Sequence, residues 1–159
     1  MRRGAYVVRI LVVYDSAFGN TGRIARAIGE VAGGFGEAVV ANPQAVEPLA
    51  SQRADMLFVG APTQLHRMSE PMRAFLKALP RGVLGGVPAA AFDTRLLRSR
   101  WLTGSAASGV GRELRRLGCR LVVPPESFFV LGREGPLEPG EEERAHRWAQ
   151  RVLERAAQM

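Results

Sequence analysis

Residues 12–22 of the chain, VVYDSAFGNTG, decide how the rest of the sequence is interpreted. They begin inside the apolar run of residues 6–14, YVVRILVVY, which is typical of a strand buried on both faces of a parallel sheet. Apolar residues at helical spacing follow the glycine-containing turn, namely Ile24, Ile28, Val31 and Phe35. The stretch therefore predicts a strand, a loop and a helix in succession, which is the first unit of an α/β fold.

The same alternation continues along the chain. Further strands are predicted at residues 38–41, 56–61 and 87–92, and a fifth in two pieces, 120–123 and 127–131, separated by two prolines. Helices are predicted from Ser69, from Ser105 and over residues 139–156, whereas residues 42–52 are predicted to form a loop with one or two helical turns. With no repeat or linker in 159 residues, the pattern predicts one domain, residues 1–159, with a doubly wound, five-stranded parallel sheet and helices on both faces.

Ligands of doubly wound sheets bind beyond the carboxyl ends of the strands, so the loops after Tyr14, Ala61 and Phe92 are the candidate site. The first loop has the composition of an anion site, with hydroxyls at Ser16 and Thr21. Backbone N–H groups at the start of the following helix, together with the helix dipole, favour a phosphate. The loop has no lysine and matches neither GxxxxGK[ST] nor GxGxxG. We predict a phosphate monoester held by neutral donors.

A set of residues around this loop also occurs at a recognisable spacing: Val12, Val13, Tyr14, Ser16, Gly19, Thr21, Ala25 and Ile28. This pattern resembles the phosphate-loop signature of the flavodoxin family, and the order of elements is similar over nearly the whole chain. The resemblance implies strand order 2-1-3-4-5 and bound flavin mononucleotide (FMN). It implies phosphate contacts at Ser16, Ala17, Phe18, Gly19, Asn20 and Thr21.

By the same resemblance, the second and third loops would flank the isoalloxazine ring of FMN. The implied contacts are Pro62, Thr63, Gln64 and Leu65 in the second loop, and Phe92, Asp93, Thr94 and Arg95 in the third. Leu65, His66 and Met68 stand where family members often place a tryptophan or another large apolar residue. Trp101 is interpreted either as a cover for the ring or as an anchor of the third loop on the core.

The third loop departs from the family pattern. Arg95, Arg98 and Arg100 stand where short-chain flavodoxins usually carry an acidic run and a tyrosine. This difference favours an FMN-dependent oxidoreductase, acting on quinone-type or porphyrinogen-type substrates or on protein partners, over an ordinary electron carrier. Electron transfer stays open as the other form of the same prediction. The remaining alternative is a flavin-free interaction or regulatory domain that has kept the fold. A receiver domain is set aside because residues 60–61, Gly-Ala, provide no acid at the end of the third strand.

The charge of the chain is positive, with 22 Lys and Arg against 15 Asp and Glu and a net charge of +7. Seven arginines and one acid, Glu113, lie between residues 95 and 120. We therefore expect an acidic redox partner or a small anionic or quinone substrate, and contact with an anionic membrane surface stays open. The absence of aromatic residues other than Trp101 from this stretch argues against nucleic acid.

The cysteine, the histidines and the lengths of the apolar runs indicate the kind of protein and its compartment. The single cysteine, Cys119, is predicted to be a core residue, and it forms no metal-ligand spacing with the two histidines. No apolar run approaches the ~20 residues that span a bilayer. Together with the lack of a disulfide framework, this pattern predicts a cytoplasmic protein without a transmembrane segment.

Overall fold

A computed structural model of the protein describes residues 8–46, 48–49, 53–98 and 100–159. In chain order, its strands and helices are β1 (Arg9–Tyr14), α1 (Asn20–Ala32), β2 (Glu37–Ala41), β3 (Met56–Gln64), β4 (Arg67–Met68), α2 (Glu70–Lys77), β5 (Pro88–Leu96), α3 (Arg100–Thr103), α4 (Ala106–Arg116), β6 (Arg120–Leu121), β7 (Glu126–Val130) and α5 (Glu141–Ala156). Among these helices, none combines the length and the apolar character needed to cross a membrane.

The main strands form a parallel sheet in the order β2-β1-β3-β5, after which β6 and β7 both pair with β5. Pro124 and Pro125 lie between β6 and β7, and because proline has no N–H to donate, they interrupt the pairing. β6 and β7 thus occupy one position as two halves of one broken strand. The short strand β4 pairs antiparallel with β3 outside this order. The predicted doubly wound sheet with order 2-1-3-4-5 is confirmed.

Alternate residues of the strands point to two hydrophobic cores, one on each face of the sheet. Ile10 and Val12 of β1 face the core beneath α1 and α5, whereas Leu11 and Val13 face the core beneath α2 and α4. The first core contains a cluster of aromatic rings in edge-to-face contact, with centroids 5.7–6.3 Å apart: Phe58, Phe92, Phe128 and Trp148. Burial on both faces is why the central strands read as continuous apolar runs.

Three elements differ from the sequence predictions. β5 continues to Leu96 instead of ending at Phe92, because it pairs with β7 over Phe92–Leu96; Asp93, Thr94 and Arg95 were predicted in a loop and are strand residues. β3 continues to Gln64 and turns back as β4, so the predicted second loop is a hairpin. The short helix α3 was not predicted. The predicted start of the first strand, residues 6–7, and residues 47 and 50–52 of the predicted loop lie outside the described residues.

A close approach between β3 and β5 gives a test of this packing. A Cβ atom on Gly60 would lie 2.2 Å from the ring of Phe92, which is fully buried and held by its aromatic neighbours. We expect Gly60→Ala to lower the free energy of unfolding by about 1–3 kcal/mol through overpacking, measured by urea denaturation. Gly34→Ala is the control, since its Cβ would meet nothing closer than 3.4 Å and its effect should stay within about 0.5 kcal/mol. Equal stability of the two variants would contradict the packing described here.

Candidate functional site

Loop 1 (residues 15–19) connects β1 to α1 and is built to expose backbone donors. The Ser16 Oγ accepts hydrogen bonds from the N–H groups of Gly19 and Gly22, at 3.0 and 3.3 Å, and Gly19 has φ +92°. Within the described part of the chain, five further N–H groups of the loop and the first turn of α1 meet no acceptor: those of Ser16, Ala17, Phe18, Asn20 and Thr21. Unsatisfied donors at a helix N-terminus favour an anion.

The first turn of α1 is tied to two other parts of the fold. The Asn20 side-chain amide donates to the Glu134 carbonyl oxygen at 3.1 Å, which joins loop 1 to the segment after β7. The Oγ1 atoms of Thr21 and Thr94 are hydrogen-bonded at 2.8 Å. Thr21 is 1% exposed and Thr94 is 5% exposed, so this contact is buried and connects α1 directly to β5.

Asp93 is fully buried at the carboxyl end of β5 and holds two neighbouring elements. Its Oδ2 accepts hydrogen bonds from the Thr63 hydroxyl at 3.2 Å, the Ser105 hydroxyl at 2.9 Å and the Ala107 N–H at 2.9 Å, whereas its Oδ1 has no hydrogen-bond partner. The Thr63 hydroxyl oxygen also accepts from the Ala106 N–H at 2.9 Å. The carboxylate therefore fixes the end of β3 and the start of α4 on the sheet.

Arg95 is turned into the protein and holds loop 3 (residues 97–105). Its Nε donates to the Ser127 hydroxyl at 2.9 Å, and its Nη1 donates to the Arg98 carbonyl oxygen at 2.6 Å and to the Thr103 hydroxyl at 3.1 Å. The guanidinium also lies over the Phe129 ring, 5.2 Å from its centroid. These contacts give Arg95 a structural role within loop 3 in this structure.

The hairpin of β3 and β4 contacts loop 3 directly. Leu65 and His66 form its two-residue turn with φ 47° and 71°, which is the backbone hand of a type I′ turn. The His66 Nε2–H donates to the Leu102 carbonyl oxygen at 2.7 Å, and His66 forms a β-bridge with Gly104. The histidine is exposed, and its ring joins the two loops.

Large apolar side chains are exposed mainly at this end of the sheet. Six of the seven in the described residues follow the carboxyl ends of the main strands: Phe18, Leu65, Leu97, Trp101, Leu102 and Leu131. Leu65 is 90% exposed and Trp101 is 88% exposed. The interpretation of Trp101 as a core anchor is therefore wrong. Large exposed apolar side chains at one end of a protein are a feature of binding surfaces.

The arginines between residues 95 and 120 do not form one surface. Arg98 lies exposed at the carboxyl end of the sheet, but Arg120 begins β6 beside Pro88 at the opposite end. Arg116, at the end of α4, donates to Glu113 and to the carbonyl oxygens of Leu76 and Leu79. These arginines are close in the sequence but far apart in the fold, because α4 runs from one end of the sheet to the other.

Cys119 and the acidic residues supply no reactive centre of their own. Burial raises the pKa of the Cys119 thiol to about 11, which keeps it protonated at neutral pH, and its predicted position in the core is confirmed. In the part of the chain that the structure describes, no three His, Cys, Asp or Glu side chains gather as metal ligands would.

Sequence reasoning missed two contributors to the site, Gly104 and Ser105. Gly104 has φ +72°, and a Cβ there would lie 2.3 Å from the His66 carbonyl oxygen. Ser105 was predicted as the start of a helix, and its hydroxyl caps α4 at the Ser108 N–H while donating to Asp93. The available signal was a glycine directly before a capping serine, which indicates a tight entry into the helix.

We expect Gly104→Ala to separate the hairpin from loop 3. Gly86→Ala is the matched control, because Gly86 has a similar φ of +81° and no atom within 4 Å of an added Cβ. Both variants carry the cost of a left-handed residue, about 1–2 kcal/mol, but only the first adds the steric clash. Hydrogen exchange of the hairpin amides should accelerate in Gly104→Ala and stay unchanged in Gly86→Ala. Unchanged exchange in both would show that the hairpin does not depend on this contact.

Comparisons with known proteins identify the fold. No protein-family model matches the sequence, and no curated protein matches it significantly. A flavodoxin from the domain Archaea is 21% identical, with a TM-score of 0.75, covering 94% of this chain and 99% of that chain. Flavodoxin 2 from Bacillus cereus is 21% identical, with a TM-score of 0.76, covering 92% and 99%.

A WrbA-like flavodoxin protein from Agrobacterium tumefaciens gives a similar result, with 21% identity, a TM-score of 0.72 and coverage of 95% of this chain and 98% of that chain. In each case the similarity extends over nearly the full length of both chains. Sequence identities of 21% establish similarity of fold alone. The chain therefore has the fold of the flavodoxins.

Proposed function

We propose that the protein binds FMN at the carboxyl end of the sheet and acts as a flavin-dependent redox protein. One observation carries the proposal: the unsatisfied N–H groups of loop 1 and the exposed apolar side chains of the hairpin and loop 3 lie at the same end of the sheet. FMN combines a phosphate with a flat apolar ring system, so it requires both kinds of surface. The resemblance of residues 12–28 to the flavodoxin phosphate loop supports the same ligand.

The phosphate would be held by the loop 1 residues Ser16, Ala17, Phe18, Gly19, Asn20 and Thr21. Ser16 accepts two backbone hydrogen bonds and still has its own hydroxyl proton to donate. The nearest cation along α1, Arg23, is ion-paired with Glu142 at 2.7 Å. Binding would therefore depend on neutral donors and the dipole of α1.

The ring would be covered by residues of the hairpin and loop 3. Leu65 and Trp101 have the exposure and size for this role, and Pro62, Thr63 and Gln64 bring backbone and side-chain polar groups to the same place. Phe92 is buried in the core, and Asp93, Thr94 and Arg95 would contribute by holding the surrounding loops. Bound FMN would supply electron transfer, and these side chains would orient it and exclude water.

The redox partner is proposed to be an acidic protein or a small anionic or quinone substrate. Arg67, Arg98 and Arg133 are exposed on the hairpin, loop 3 and the segment after β7, so positive charge surrounds the apolar residues. Such an arrangement steers anionic partners toward the site. The choice of an oxidoreductase over an electron carrier stays a prediction. The same holds for one cytoplasmic domain over residues 1–159.

A second function is favoured by the contact between the hairpin and loop 3. His66 and Gly104 join these loops through a hydrogen bond and a β-bridge made within the chain itself. A flavin-free interaction domain would use Leu65 and Trp101 to contact another protein. The two functions differ in a simple observation, because protein with bound oxidised flavin is yellow.

Titration with FMN and riboflavin tests the proposed phosphate site. Wild-type protein should bind FMN about 10- to 100-fold more tightly than riboflavin, since only FMN engages the charged-group hydrogen bonds of loop 1. Thr21→Ala should weaken FMN binding by about 1–3 kcal/mol and leave riboflavin unchanged, whereas Thr21→Ser, which keeps the hydroxyl, serves as the control. Gly19→Val should also weaken binding because of the φ of +92°. Equal affinity for the two flavins, read from fluorescence quenching, would contradict the proposal.

Oxidation of the reduced, FMN-loaded protein by ferricyanide, an anionic oxidant, tests the proposed steering. The double variant Arg67→Glu/Arg98→Glu should react about 2- to 10-fold more slowly at low salt, and the difference should disappear as the Debye length falls to about 3 Å at 1 M salt. Arg115→Glu/Arg120→Glu makes the same change of net charge at the opposite end of the sheet and should have a smaller effect. A rate that falls equally in both variants would indicate net charge without local steering.

A further inference from the structure

The buried hydroxyl groups of Thr21 and Thr94 together carry two protons, and only one of them is donated in a hydrogen bond within the described residues. Each hydroxyl can donate one hydrogen bond, and the 2.8 Å contact between the two Oγ1 atoms takes one proton. Within the described residues, neither hydroxyl makes another hydrogen bond. Both residues are at least nine-tenths buried, so one donor is left without a partner, which is unfavourable in the absence of an acceptor.

The surroundings of the two residues differ and set the direction of that proton. Thr94 is an interior residue of β5, paired in register with Pro62 of β3 and Phe128 of β7. Thr21 lies in the first turn of α1, and its own N–H and that of Asn20 have no acceptor in the described chain. An acceptor that could take the remaining proton therefore belongs on the loop 1 side, beside Thr21.

We propose that Thr94 is a positioning residue for the anion site: it donates to Thr21, and Thr21 in turn donates to the phosphate of the ligand. This inference rests on the proposed FMN function. It adds Thr94, which would act on the ligand only through Thr21. Thr94 would fix the rotamer and the proton direction of Thr21, so the phosphate meets a donor that is already oriented. A preoriented donor binds more tightly because less freedom is lost on binding.

Substitutions at both positions test the relay by titration with FMN and riboflavin. Thr94→Val keeps the branched shape that suits a strand but removes the hydroxyl, and we expect FMN affinity to fall about 3- to 10-fold with riboflavin affinity unchanged. Thr94→Ser restores the hydroxyl and should recover most of the loss. The double variant Thr21→Val/Thr94→Val should bind FMN no more weakly than Thr21→Val alone, because Thr94 acts only through Thr21.

The outcomes separate the relay from a purely structural role. Equal losses for FMN and riboflavin, or additive losses in the double variant, would overturn the proposal. Wild-type protein that prefers FMN together with an unaffected Thr94→Val variant would overturn the relay but leave the proposed function standing. Wild-type protein without preference for FMN would contradict the proposed function. The relay is then tested with inorganic phosphate alone, by ³¹P line broadening. Loss of phosphate binding in Thr94→Val supports the relay, whereas unchanged binding in this variant, or no binding to the wild type, overturns it.

Discussion

The burial of three consecutive polar residues, Asp93, Thr94 and Arg95, constrains the whole carboxyl end of the sheet. They lie inside the sheet because β5 pairs with β3 as far as Thr94 and with β7 as far as Leu96. A buried polar group without hydrogen bonds costs several kcal/mol, so each must find partners nearby. The partners come from the elements that build the site: the hairpin and α4 for Asp93, α1 for Thr94 and loop 3 for Arg95.

Alternation along β5 divides these tasks between the two faces of the sheet. Asp93 and Arg95 point toward the face that carries α4, and Thr94 points toward α1 on the other face. The proposed phosphate end and ring end of the site are therefore held by neighbouring residues of one strand. A change at either end of the site is expected to reach the other through β5 and not through the exposed loops.

Much of this arrangement could be predicted from the sequence, and the exceptions have physical causes. The central strands are apolar runs and loop 1 has a distinctive composition, so the fold and the candidate anion site were predicted. The end of β5 was not predicted, because its polar residues break the apolar pattern by which the strand was recognised. The hairpin turn was missed because Leu65 and His66 replace the glycine or asparagine that a type I′ turn favours. The contact of Thr21 with Thr94 joins residues 73 positions apart, which no local pattern indicates.

The central claim is that loop 1 holds a phosphate through its backbone donors, and amide chemical shifts test it most directly. In an FMN titration followed by ¹H–¹⁵N NMR, the amide protons of Ala17, Phe18, Asn20 and Thr21 should move downfield together and saturate at one equivalent, because each gains an anionic acceptor. Riboflavin should leave these four signals in place while shifting those of the hairpin. Four unmoved signals in the presence of saturating FMN, or equal shifts with riboflavin, would contradict the account.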